Sequence, residues 1–133
     1  MSRSDILLAS IDHFYTDETN ATTFTSLVQS KDGGISLRSL EHFITNYAKK
    51  TNATYKTNDG KIFAVHCSYK SSLDGYSKKL FDPFARSQKF EYTMPTSGEK
   101  IITTVAQLNF IRWVIKNDII KYLKMHKTAA KST

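Results

Sequence analysis

FEYTMPTSGEKIITTVAQLNFIRWVIKNDIIKY, residues 90–122, carries both periodicities that set the fold class. Phe90, Tyr92 and Met94 alternate at the period of a half-buried strand, and Pro95-Thr96-Ser97-Gly98 turns the chain back into Lys100–Thr103. Thr104-x-x-Gln107 then has the form of a capping box, and Leu108, Ile111, Ile115, Ile119 and Tyr122 mark one helical stripe. Phe110, Trp113 and Val114 widen that stripe beyond one contact face, and Asn117-Asp118 interrupts it. A helix this apolar is core, or core plus interface. A two-fold homodimer is the commonest way to cover such a surplus, so a self-interface is expected here.

Working back from this stretch, a second hairpin signal stands at Asn58-Asp59-Gly60, between Ala53–Thr57 and Lys61–Tyr69. Phe63, Val65, Cys67 and Tyr69 alternate with Ala64, His66 and Ser68, which predicts a strand with Cys67 on its core face. A short helix over Ser72–Leu80, weakened by Gly75, is stopped by Asp82-Pro83. Upstream, Lys31-Asp32-Gly33-Gly34 is a break, Ser36 is an N-cap, and Ile35 is placed to staple onto Leu40. Leu37, Leu40, Ile44 and Tyr47 mark a helix to about Lys50. Residues 16–25, rich in Thr and Asn, read as a loop, and Phe24, Leu27 and Val28 as an apolar patch of open type. A first helix starts at Ser4-Asp5, with Leu7, Ile11, Phe14 and Tyr15 on one face. The order ααββαββα predicts an α+β domain: a small antiparallel sheet of about four strands from two hairpins, packed by helices.

At 133 residues the chain fits one domain spanning 1–133, with residues 127–133 expected to be a flexible basic tail. Its 40% hydrophobic content excludes a disordered chain, and a single cysteine excludes an internal disulfide. No apolar run has the length of a signal-peptide core or a membrane span, so no membrane partner is expected. The two Asn-x-Thr sequons, at Asn20 and Asn52, are read as chance matches without a secretory signal. Net charge is +7 and unevenly placed. Residues 1–60 hold six Lys/Arg against seven Asp/Glu, whereas residues 61–133 hold thirteen against five, an excess of eight. Such a half-chain attracts polyanions, although the same excess also serves as a solubilising surface.

Catalytic and metal chemistry find little footing. His13, His42, His66 and His126 show no i,i+4 pair, there is no Cys-x-x-Cys, and no metal site is expected. Cys67 on a core face would be inert. No nucleophile elbow, phosphate-binding loop or dinucleotide fingerprint exists among five glycines, so no cofactor, small-molecule substrate or catalytic residue is assigned. What remains is a mixture of cations and rings. Lys61, Lys70, Lys78, Lys79, Arg86 and Lys89 interleave with Tyr69, Tyr76, Phe81, Phe84 and Phe90. Nucleic-acid surfaces combine cations for phosphate with rings for bases, although rings at strand and helix spacing are more often core. Lys121, Lys124, Lys127 and Lys131 extend a basic stripe if the last helix persists. The expected phosphate contacts are Lys70, Lys78, Lys79, Arg86, Lys89, Lys121, Lys124 and Lys127.

Three stretches, ISLRSLEHFITNYAKK (35–50), SYKSSLDGYSKKLFDPFAR (68–86) and IITTVAQLNFIRWVIKNDIIKYL (101–123), cover a little under half the chain. They resemble a family of uncharacterised small proteins of nucleocytoplasmic large DNA viruses, including marseillevirus-like and mimivirus-like giant viruses. Ala85 departs from the pattern, which carries cysteine there. The resemblance implies a viral protein made in host cytoplasm and packaged in the virion, and supplies no catalytic residue. The leading expectation is therefore a non-enzymatic basic accessory protein that binds nucleic acid, DNA first, with low sequence specificity. The alternative is a structural or protein-interaction component of the virion.

Overall fold

The computed structural model describes residues 3–29, 36–57, 60–84 and 89–123. Its centre is helix α7 (Val105–Lys116), opened by Thr104, whose hydroxyl accepts the Gln107 N–H at 3.1 Å. The box is only half formed. The Gln107 side chain accepts from Thr103 Oγ1 at 2.6 Å and donates to the Pro83 carbonyl at 3.2 Å. Every residue of α7 from Leu108 to Val114 is buried. Helices α1 (Arg3–Phe14), α2 (Glu18–Val28) and α6 (Lys78–Phe81) pack around it. The surplus apolar surface is thus covered from within the chain, which removes the reason for expecting a self-interface on this helix. Asp118 turns left-handed at φ 55°, as the Asn117-Asp118 interruption required, and residues 119–123 resume a helical path that buries Ile119 and Leu123.

Of residues 16–25, read as a loop, only Thr16 and Asp17 form a turn, and the helix α2 takes the rest. Asp17 caps α2 by accepting the Asn20 N–H at 3.1 Å, and Asn20 Nδ2 donates back to the Phe14 carbonyl, fixing the corner with α1. Thr and Asn are mediocre helix formers. Here Ala21, Phe24 and Leu27, spaced by three, give the segment one buried stripe, and burial overrides propensity. The Thr23 and Thr25 hydroxyls are absorbed by carbonyls four residues back.

Ser36 caps α3 (Leu37–His42) in a reciprocal box with Ser39; Ile35 and residues 31–34 lie outside the described residues. A π turn (Phe43–Tyr47) leads into α4 (Ala48–Thr51), and Asn52 ends it in the left-handed region. The first hairpin pairs β1 (Thr54–Lys56) with β2 (Ile62–Ala64), Tyr55 opposite Phe63. The second pairs β3 (Phe90–Thr93) with β4 (Lys100–Thr103), Tyr92 opposite Ile101. The architecture is α+β with, among the described residues, four strands from two hairpins, each hairpin closing its own two-stranded sheet. One core cluster draws on every helix and on the second hairpin, with Tyr55 and Phe63 packed against it.

The predicted strand over 61–69 stops at Ala64, and α5 (Val65–Tyr76) follows directly. The segment carries two apolar periods at once. Phe63, Val65, Cys67 and Tyr69 repeat by two, but Val65, Tyr69, Leu73 and Tyr76 repeat by three to four and bury more against the core. The change moves Cys67 to the outside, where it is exposed. The expected core placement is corrected, and with it the ground for reading the thiol as inert. Cys67→Ser should change stability by no more than about 0.5 kcal/mol. Native Cys67 should react with a thiol reagent as fast as a small free thiol; protection until unfolding would contradict the exposed position.

Candidate nucleic-acid interface

Helical geometry at α5 brings His66 and Lys70 onto neighbouring turns, four residues apart. Helix α4, which packs against α5, carries Lys49. The His66 pKa lies below the ordinary histidine value, first because the ring is partly desolvated, then because Lys49 and Lys70 repel its proton. Two cations on two packed helices therefore act on one titratable ring.

Of the expected contact residues, Lys70, Lys78, Lys79, Lys89 and Lys121 are exposed, as a phosphate-binding role requires. Arg86, Lys124 and Lys127 lie outside the described residues. Lys78 stands 3.9 Å from the Asp82 carboxylate one turn on, an exposed pair worth little. Among the described residues, Lys89 before β3 and Lys121 after α7 take no part in the interactions that gather cations at His66. Four of the five expected rings are structural. Tyr69 and Phe81 are core, while Tyr76 and Phe90 pack against it. Phe84 is exposed, and the Arg38 guanidinium covers its face at 4.2 Å. Sequence reasoning missed Lys49, His66 and Arg38; the i,i+4 spacing of His66 and Lys70 was the available signal.

Among the described residues, two grooves of similar size stand out on the surface. One, of about 560 Å³ between α2 and the β3–β4 turn, carries Glu18 and Glu99 and so repels a polyanion. The other, of about 570 Å³, runs between α1 and α5, with Ser10 on one wall, Ser68, Ser71 and Ser72 on the other, and Arg112 of α7 at its base. Arg112 is 7% exposed, donating from Nη1 to Ser10 Oγ at 2.6 Å and from Nη2 to Asn109 Oδ1 at 2.9 Å. Among the described residues no three metal-ligating side chains converge, and no helix is long and apolar enough to cross a membrane.

Residues 1–132 match a family of unknown function, DUF7197. An uncharacterized protein of Acanthamoeba polyphaga mimivirus is 38% identical over 120 residues, which cover 85% of this chain and 46% of the relative. The chain spans about half the length of that curated relative. No solved structure matches it. By these matches, over nearly its whole length, the chain belongs to DUF7197, a giant-virus family of unknown function.

Proposed function

We propose that this chain is a non-enzymatic basic accessory protein of a large DNA virus, acting in the virion or the host cytoplasm. It binds nucleic acid through phosphate contacts with little sequence preference. The observation that carries the reading is that exposed Lys49 and Lys70 stand on helices α4 and α5, which pack together, and both disfavour the charged form of His66. Cations that act on one site gain from a phosphate bound there, which relieves their mutual repulsion. Lys78 and Lys79 add two exposed cations on α6, which also packs on α5. Lysines outnumber arginines eleven to two in residues 61–133. Lysine serves phosphate as a point charge, whereas base reading favours bidentate groups.

Affinity should therefore come from counterion release. With about five phosphates engaged, log K on duplex DNA should fall against log salt with a slope of roughly −4 to −5. Lys49→Ala, Lys70→Ala, Lys78→Ala and Lys79→Ala combined should flatten the slope and weaken all sequences alike. A second arm uses pH. In the free protein the depressed His66 pKa means that its contribution to stability is present above about pH 6.5 and is lost as pH falls through the folded-state value. A bound phosphate reverses the local field and favours the imidazolium, so affinity should rise as pH falls through the histidine range. His66→Ala should remove that rise and keep the affinity found at higher pH. No binding of DNA or RNA at micromolar protein and near-physiological salt would overturn the reading in favour of a structural or protein-interaction component of the virion.

A further inference from the structure

Among the described residues, no other charged side chain is as buried as Arg112, and its hydrogen-bond partners, Ser10 and Asn109, are both neutral. No described carboxylate lies within ion-pair distance of it. A guanidinium withdrawn from water is costly unless an anion compensates it, and buried arginines are normally paired. The compensating charge has an open approach, because Arg112 lines the groove between α1 and α5.

The hydroxyls around it are set to donate. Ser10 Oγ accepts from Arg112, and Ser68 Oγ accepts from Trp113 Nε1 at 3.2 Å, so each inner lone pair is used and the O–H is left to point elsewhere. Ser71 and Ser72 add two more hydroxyls on the same wall. A carboxylate has two oxygens to satisfy, whereas a phosphoryl group has three and matches a guanidinium surrounded by hydroxyls. The groove is also far larger than one phosphate. At about 570 Å³ it has the size of a small-molecule site, and Ile6, Leu7, Tyr76 and Leu80 give its remainder an apolar, partly aromatic wall.

We propose that this groove binds an organic phosphomonoester, with the phosphoryl group against Arg112 and the serine hydroxyls and the organic part against Tyr76 and Leu80. The site is separate from the lysine surface, sharing neither Lys49, His66 nor Lys70, and extends the function beyond backbone binding. Its ligand is either a free mononucleotide or the phosphorylated end of a strand, since both present the same group.

The probe is adenosine 5′-monophosphate, titrated into the full-length protein by calorimetry or by amide chemical shifts, with adenosine as control. Saturable binding of the monophosphate and none of adenosine is expected. Arg112→Gln should weaken it by roughly 10–100-fold, the loss of one charge-assisted contact set. Because Arg112 also bonds Ser10 and Asn109, a second variant avoids it. A Cβ on Gly75 meets nothing within 4 Å, so Gly75→Leu should fold normally and fill the groove instead. It should abolish binding at unchanged or higher Tm. The fourfold lysine variant should retain binding of the monophosphate, which keeps this site distinct from the proposed interface. Tighter binding of a 5′-phosphorylated oligonucleotide than of its 5′-hydroxyl counterpart, lost in Gly75→Leu, supports the site and assigns it to strand ends. Equal binding of the two oligonucleotides with retained monophosphate binding supports it as a mononucleotide site. No saturable response to millimolar monophosphate, equal binding of adenosine, or binding untouched by Gly75→Leu would overturn it.

Discussion

Trp113→Ala should cost about 3–5 kcal/mol of unfolding free energy, measured as a lower urea midpoint at unchanged slope. The indole is buried at the centre of α7 and lies 5.4 to 6.2 Å, centroid to centroid, from the rings of Phe63, Tyr69, Phe81 and Phe110. Truncation would leave a cavity bounded by four rigid rings, which cannot collapse to fill it. It would also strip Ser68 of the indole N–H. A loss near 1 kcal/mol would place the ring at the surface and contradict the packing.

Phe81→Ala should be comparably severe, about 3–5 kcal/mol, for a partly different reason. Helix α6 has four residues, too few to persist on its own hydrogen bonds. Phe81, fully buried, anchors it by stacking at 5.8 Å on Tyr76 and meeting Phe110 edge-on at 5.7 Å. Without that anchor α6 should detach together with Lys78 and Lys79, so binding of nucleic acid should weaken even where the rest remains folded. Phe81 and Trp113 share one cluster and should not act independently. The milder pair Phe81→Leu and Trp113→Phe should show a coupling of about 0.5 kcal/mol or more in a double-mutant cycle. Additivity within a few tenths would mean that the two rings sit in separate parts of the core.

What the sequence disclosed was whatever its signals encode locally. Thr104 ahead of a wide apolar stripe, Ser36 ahead of Leu37 and Leu40, and Gly60 and Gly98 in turns each act within a few residues, and each element formed where expected. The misreadings came where two local patterns competed. In Val65–Tyr69 a period of two and a period of four coexist, and only contact with α7 and α6 decides between them. In residues 16–25 composition argued for a loop, whereas the structure caps a helix at Asp17 and buries Ala21, Phe24 and Leu27 along it. The candidate sites were least legible, since they arise from distant partners. Nothing local marks Arg112 within an apolar helix, and only the packing of α1 against that face buries it. His66 and Lys70 became neighbours only once a strand had become a helix.

The π turn at Phe43–Tyr47 has a consequence for how this family can vary in length. Such a turn holds one residue more than an α turn, closed here by the Ala48 N–H on the Phe43 carbonyl. Removing any one residue from it would let the backbone relax into continuous α-helix, at little cost to local hydrogen bonding. Everything beyond would keep its phase relative to Leu37 and Leu40, because the wide turn absorbs its extra residue locally. Ala48 would stay in the core, and Lys49 would stay on the same face of the helix. The extra residue is thus slack taken up within one turn, between the half of the helix that anchors and the half that presents charge. Relatives can lose one residue from this segment and still present the basic residues beyond it in the same direction.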